Sequence, residues 1–201
     1  QCAEITSSNF TKLYKHPYSM LFMTWWILIV PVLLAIIFIW YYNRFAVLSN
    51  RIRNSLAQID VQLRKRADLV PNLIETVKGY AKHEKGIMKE VTDARKALLA
   101  AKDLPGRVKA GNQLQEALKS IFAIAENYPN LKANENFLQL QQELAAIEDK
   151  VAYARQFYND SILDYNNLAT TFPGNFFGSI YNRKEKAFLE IPVEARAVPK
   201  V

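Results

Sequence analysis

From Met20 to Trp40 the chain reads "MLFMTWWILIVPVLLAIIFIW", a run of 21 residues interrupted only by Thr24 and Pro31. At about 1.5 Å per residue it spans roughly 30 Å, the thickness of one hydrocarbon core. Tyr18, Trp40, Tyr41 and Tyr42 stand at its ends, where amphipathic rings settle at the headgroup level. The pattern predicts a transmembrane helix over 18–42. A signal peptide has a shorter apolar stretch, about 7–15 residues, and then a small-residue cleavage site. Here the run passes directly into helical periodicity. Pro31 is tolerable, because membrane helices absorb a kink when the freed carbonyl finds another partner.

The periodicity that follows is helical. Phe45, Leu48, Ile52, Leu56, Ile59, Leu63 and Val70 recur at spacings of three, four and, at the end, seven, and so share one face. No Gly or Pro separates them from the apolar run, which predicts a nearly continuous helix leaving the bilayer. Pro71 should kink that helix or restart it, with Asp68 as a candidate cap. A second pattern runs through Leu73, Val77, Tyr80, Ile87, Val91, Ala94 and Leu98; Glu84 falls where an apolar residue is expected. Pro105 and Gly106 form a breaker pair. A third helix uses Val108, Gly111, Leu114, Leu118, Ile121, Phe122 and Ala125. Then "ENYPNLKANEN" reads as a structured turn in which Asn134 or Asn136 caps a last long helix, Phe137 to Phe172, stopped by Pro173 and Gly174.

These elements predict an all-α chain: one N-terminal transmembrane helix, then an antiparallel bundle of three to four long helices. The expected divisions are a short N-terminal segment 1–17, the span 18–42, the bundle 43–175, and a tail 176–201 packing on the bundle. Alternating β-branched runs that would argue strands are absent, and the six glycines are few.

Charge alters this picture only slightly. The net charge is +7, with acids and bases interleaved. No aromatic platform or recognition helix stands out, so nucleic acid is not an expected partner. Arg44, Arg51 and Arg53 follow the span before the first acid, Asp60, while Lys12 and Lys15 face Glu4 on the other side. That bias leans toward a cytoplasmic bundle and a short N-terminus outside, and the three arginines suit anionic lipid. The single cysteine, Cys2, allows no intrachain disulfide.

Candidate chemistry is sparse. "HEKGI" starts like a zinc helix but lacks the second His, and the only histidines are His16 and His83. The carboxylates are scattered and lack the Glu-x-x-His pattern of di-metal bundles. There is no nucleophile elbow and no phosphate loop. Ser49, Ser55, Ser120 and Ser161 lie inside helical patterns, where back-bonded or solvent-facing hydroxyls are expected. The chain therefore reads as a non-enzyme without a cofactor.

What remains is a polar cluster, structural or interacting. Arg64 is four residues from both Asp60 and Asp68 and can bridge either on one helix face. Arg66 faces elsewhere and could reach another helix. Tyr158–Asn159 and Tyr165–Asn166 recur seven residues apart, so they stack on one face; they could hydrogen-bond across the bundle or line a polar groove.

Several segments carry a family resemblance: "RADLVPNLIETVKGYAKHE", "VTDARKAL", "YPNLKANENF", "RQFYNDSILDYNN" and "FPGNFFG". In these the chain resembles the LemA family of bacterial membrane proteins, from about Trp40 to Val201. The resemblance implies a single-pass protein of the bacterial plasma (inner) membrane with a cytoplasmic helical bundle. It implies no established enzymatic activity, and a loose link to membrane protein quality control through membrane metalloproteases. The candidate cluster on this chain comprises Asp60, Arg64, Arg66, Asp68, Asn72, Glu75, His83, Glu84, Tyr128, Lys132, Asn134, Tyr158, Asn159, Tyr165 and Asn166. About 17 residues precede the span, more than in many members.

The expected function is a membrane-anchored helical adaptor or scaffold. Its partners would be other membrane or envelope proteins, or further copies in a homo-oligomer. The alternative is a module binding a small ligand or lipid headgroup, in a pocket drawing on Arg64, Arg66, Glu84 and Tyr165; a hydrolase ranks behind both.

Overall fold

In the computed structural model the described residues are 17–189, with side chains described for Trp25 and from Ile27 onward. The segment holding Cys2, Lys12, Lys15 and His16, and the end of the tail including Ile191, lie outside them. The described chain is all-α: α1 (Pro17–Tyr80), α2 (Lys85–Ala100), α3 (Leu104–Ala125), α4 (Pro129–Lys132), α5 (Glu135–Thr170) and α6 (Gly174–Ile180). One of these, α1, is long and apolar enough to cross a membrane, and the apolar window within it is unburied. The chain forms two compact units, residues 1–47 with 168–184, and residues 48–167 with 185–201.

In the larger unit four long helices alternate in direction. Arg51, Ser55 and Arg66 of α1 meet Asp164, Ser161 and Glu148 of α5, a descending register that makes the pair antiparallel. Asp60 and Leu63 of α1 meet Arg107 and Gly111 of α3, an ascending register that makes that pair parallel. The core between them is the expected stripe: Ile59, Leu63, Val70 and Leu73 from α1, Val91 and Leu98 from α2, Leu114 and Ile121 from α3, Leu144, Val151 and Ile162 from α5. One place in the stripe differs. Ser55, rather than Leu56, is fully buried, against the equally buried Ser161. Each hydroxyl back-bonds to the carbonyl four residues earlier, and the two oxygens are 3.4 Å apart. Two small side chains let α1 and α5 approach closely there.

Pro71 does not restart the helix: α1 runs through it unbroken. A proline inside a helix leaves the carbonyl four residues back without its N–H partner. Here that is Ala67, which is fully buried. Arg95 of α2 donates its Nε–H to the Ala67 oxygen at 2.7 Å. A side chain from another helix thus replaces the missing backbone bond. Arg95→Met should leave the carbonyl orphaned and destabilise the bundle by about 1–3 kcal/mol. In Pro71→Ala/Arg95→Met, where the backbone N–H returns, most of that loss should disappear, as read from urea midpoints.

The break comes ten residues later. Tyr80 ends α1, buried Ala81 tucks inward, and α2 starts after Glu84. Glu84, the misfit in the apolar pattern, marks that corner. It makes no capping bond and instead accepts the Tyr128 hydroxyl at 3.3 Å. Pro105 and Gly106 lie inside α3 as its first turn, with the Asp103 carboxylate accepting the Gly106 N–H at 3.2 Å. At the start of α5, Asn134 is the cap: its Oδ1 accepts the Phe137 N–H at 3.0 Å, while its Nδ2 donates to the Tyr80 hydroxyl at 3.1 Å. Asn134→Ala should cost about 1 kcal/mol, seen as a lower urea midpoint with an unchanged slope.

In the smaller unit, α6 lies against the end of the apolar run. Phe177 stacks on Tyr41 with centroids 4.3 Å apart and meets Phe38 edge-on at 5.0 Å. The Tyr181 hydroxyl donates to the Phe38 carbonyl at 2.8 Å.

Candidate functional site

The candidate residues do not converge on one point. All but Asn72 and Glu75, which line a groove, fall into three groups within the larger unit, each with its own physical cause.

The first is a buried arginine pair. Arg66 is 1% exposed, with its Nη2 paired to the Glu148 carboxylate of α5. Its Nη1 is buried without a hydrogen-bond partner, as is the Nε of Arg155. The other end of Arg155 donates to Asn112 Oδ1 at 2.8 Å. Burial, with the nearby positive charge of Arg155, draws the Arg66 pKa down from its usual value to about 10; burial also lowers that of Arg155. Arg66 therefore reaches another helix, as the sequence suggested. The expected bridge from Arg64 does not form. Arg64 is exposed and has no ion pair, and Asp60 is taken instead by Arg107 of α3. A half-buried guanidinium from another helix displaces a local pair worth only a few tenths of a kcal/mol. Asp68 is exposed too.

The second group is the corner between α1 and α2. Glu84, Tyr128 and Asn134 tie Tyr80 and the α4 turn together through the bonds given above. Burial, then the Glu84 charge and hydrogen bond, raise the Tyr128 pKa. His83 and Lys132 are exposed beside this corner. The corner fixes where the chain reverses direction.

The third group is on α5. Tyr158 and Tyr165 are buried, and burial raises the Tyr158 pKa. Their partners, Asn159 and Asn166, hold the chain's own C-terminal segment. Asn159 donates to the Leu189 carbonyl at 3.2 Å and accepts the Leu189 N–H at 2.9 Å. Asn166 does the same for Lys186, at 2.8 and 2.9 Å. Seven helical residues rise about 10 Å and three extended residues cover about 10 Å, so the two carboxamides match the segment's spacing. Lys186 also lies over the Tyr165 ring, 5.2 Å from its centroid.

One polar groove of about 400 Å³ is lined by Leu69, Asn72, Glu75 and Thr76 from α1 and Asn136, Gln139, Leu140 and Glu143 from α5. Two candidates, Asn72 and Glu75, are there. None of Arg64, Arg66, Glu84 or Tyr165 is, so the groove is not the pocket the sequence suggested. Among the described residues no three His, Cys, Asp or Glu side chains gather as a metal-binding group. On the outer surface of α5, Tyr153 (72% exposed), Phe157, Asp160 and Asp164 form a stripe at spacings of four, three and four. Arg51 spans two of these, bonding Asp164 at 2.9 Å and lying 4.8 Å over the Phe157 ring. It is thus engaged within the bundle, while Arg44 and Arg53 are exposed.

Sequence reasoning missed Arg95, Arg107, Asn112 and Arg155, all partners across helices. The signal for Arg155 was its place between buried Ala154 and Tyr158; for Arg95 and Arg107 no local pattern points to the contact.

The model of the LemA family matches residues 55–201. The magnetosome protein MamQ 2 of Paramagnetospirillum magneticum is 23% identical over 175 residues, covering 74% of this chain and 64% of that protein. Magnetosome protein MamQ of Magnetospirillum gryphiswaldense is 24% identical, covering 69% and 61%. Protein LemA of Metamycoplasma hominis is 25% identical over 130 residues, covering 64% and 56%. The chain thus spans less than two thirds of the length of these relatives.

Proposed function

Since this chain belongs to the LemA family and is a membrane-associated helical protein, we propose that it acts as a membrane-tethered adaptor or scaffold. Its partner is another membrane or envelope protein, a membrane metalloprotease among the candidates, or a second copy of itself. The bundle faces the cytoplasm and the segment that precedes the span lies outside, in a bacterial inner membrane. The observation that carries the reading is the α5 stripe, where Tyr153 and Phe157 stand exposed beside Asp160 and Asp164. Exposed aromatic rings beside polar side chains are the composition of binding surfaces, while the buried arginines and tyrosines are occupied in holding helices together.

A photo-crosslinking residue in place of Tyr153, in the full chain in its membrane, tests this. A single stoichiometric adduct, with an envelope protein or with a second copy, is the expected result. A monomeric particle in mild detergent with no adduct would remove the reading.

The groove supports a second reading, a small-ligand module. Glu75 and Glu143 with four amide or hydroxyl neighbours suit a compact cationic ligand. A polyamine should raise the unfolding temperature of the wild type and not that of Glu75→Gln/Glu143→Gln. An equal response in both would reject it.

A further inference from the structure

We infer that α6 is a second membrane-contacting element, lying in the headgroup–acyl boundary of the bilayer that α1 crosses. The inference rests on the membrane reading of α1.

The helix has an inner face that packs on the end of the apolar run. Phe177 and Gly178 are buried there, Phe177 against Phe38 and Tyr41, and Tyr181 bonds the Phe38 carbonyl. Tyr42 and Phe45 also meet the Tyr181 ring, at 5.6 and 6.3 Å. These contacts set the level of α6 at residues 38–45. In a span over 18–42, that is the interface.

The other face should then be polar if it met only water. It is not. On α6 itself Phe176 is 58% exposed and Ile180 50%, four residues apart, and Phe172, in the turn that leads into the helix, is 86% exposed. Trp40 and Tyr42, on α1 at the same level, are exposed as well. The polar residues of α6 form a separate strip: Asn175 accepts the Phe176 N–H, and Ser179 donates to the Asn175 carbonyl. Arg44, Arg183 and Lys184 supply positive charge in this unit. An apolar face, a polar strip and flanking cations are the makings of an interfacial helix, which sinks about 5–10 Å into the boundary. Continuity with the span and the sign of the charges both select lipid as the occupant, since anionic headgroups complement these cations.

The test uses the full chain with Cys2→Ser and a single Phe176→Cys carrying an environment-sensitive fluorophore, in vesicles containing anionic lipid. Leu33→Cys and Leu99→Cys are the controls for span and bundle, Leu99 being an exposed residue of α2 outside the proposed partner surface. Two spin-labelled lipids are used, since position 33 lies about 13 Å below the end of the span: one with its nitroxide near the headgroup, which should remove most of the emission at 176, and one with it deep in the acyl chain, which should do so at 33. Aqueous iodide should remove little at either. The probe at 99 should show the reverse. Lipid quenching at 33 but only iodide quenching at 176 would place α6 in water and overturn the inference while leaving the anchor standing. Quenching at 176 by neither agent would put protein on this face and overturn it equally. Absence of lipid quenching at 33 would defeat the membrane reading itself, and the inference with it.

Discussion

Glu148→Leu is expected to destabilise the bundle by about 3 kcal/mol, because it leaves a buried cation without its counter-charge. Arg66 is 1% exposed, so its guanidinium cannot recover hydration by a small movement. It would also face Arg155, whose positive charge already disfavours it. The reverse substitution is much milder. Arg66→Met frees Glu148, whose side chain is 38% exposed and can turn to water. A loss of about 1 kcal/mol is expected there, that of an ordinary hydrogen-bonded pair at a wet boundary. The double variant Arg66→Met/Glu148→Leu should be close to Arg66→Met alone. Urea unfolding of the full chain in mild detergent, followed by far-ultraviolet circular dichroism, reads all three. Equal losses from the two single substitutions would mean that water reaches Arg66, contrary to its burial.

Gly174→Ala is the other large effect. A Cβ at this position would fall inside the carbonyl oxygen of Leu168, well short of van der Waals contact. Backbone cannot turn aside as a side-chain tip can, so α6 must shift from its place. A cost of about 3 kcal/mol is expected, at the upper end for an overpacked site. Amides 174–181 should lose hydrogen-exchange protection, while those of α2 and α3 keep theirs. Gly79→Ala is the control. Nothing lies within 4 Å of a Cβ there, and alanine in the last turn of α1 should stabilise by about 0.5–1 kcal/mol. Unchanged exchange in Gly174→Ala would show that Leu168 has room to move.

The helical stripes were legible because burial repeats with the period of the helix. Ile59, Leu63, Val91, Leu114 and Ile162 are buried where their spacing placed them. A restart at Pro71 was expected because a proline has a local meaning and a tertiary one. Locally Pro71 removes a hydrogen bond; in the folded chain Arg95, 28 residues along, supplies another. The true corner carried a weaker mark, Glu84 out of register with its apolar neighbours. The candidate cluster was partly legible for the same reason. Helix geometry pointed Arg66 toward another helix, and cap chemistry narrowed the α5 cap to Asn134 or Asn136, of which Asn134 is the one. Asp60 could not, since its partner Arg107 is separated from it by 47 positions. Asn159 and Asn166 were visible as a repeat, but not what they hold, because the segment they grip offers only backbone.

The vacant carbonyl at Ala67 also works as an address. A helix surface is nearly the same at every turn, and a neighbouring helix could slide along it by one turn at little loss. Ordinary interior carbonyls cannot tell one register from another, since each is already bonded. Pro71 leaves one oxygen open, and Arg95 recognises that oxygen. Moving the proline by a single position would carry the opening about 100° around the axis and about 1.5 Å along it, out of reach of the same arginine. The residue most readily taken for an interruption thus encodes the alignment of α1 with α2, as a notch fixes a key in one lock.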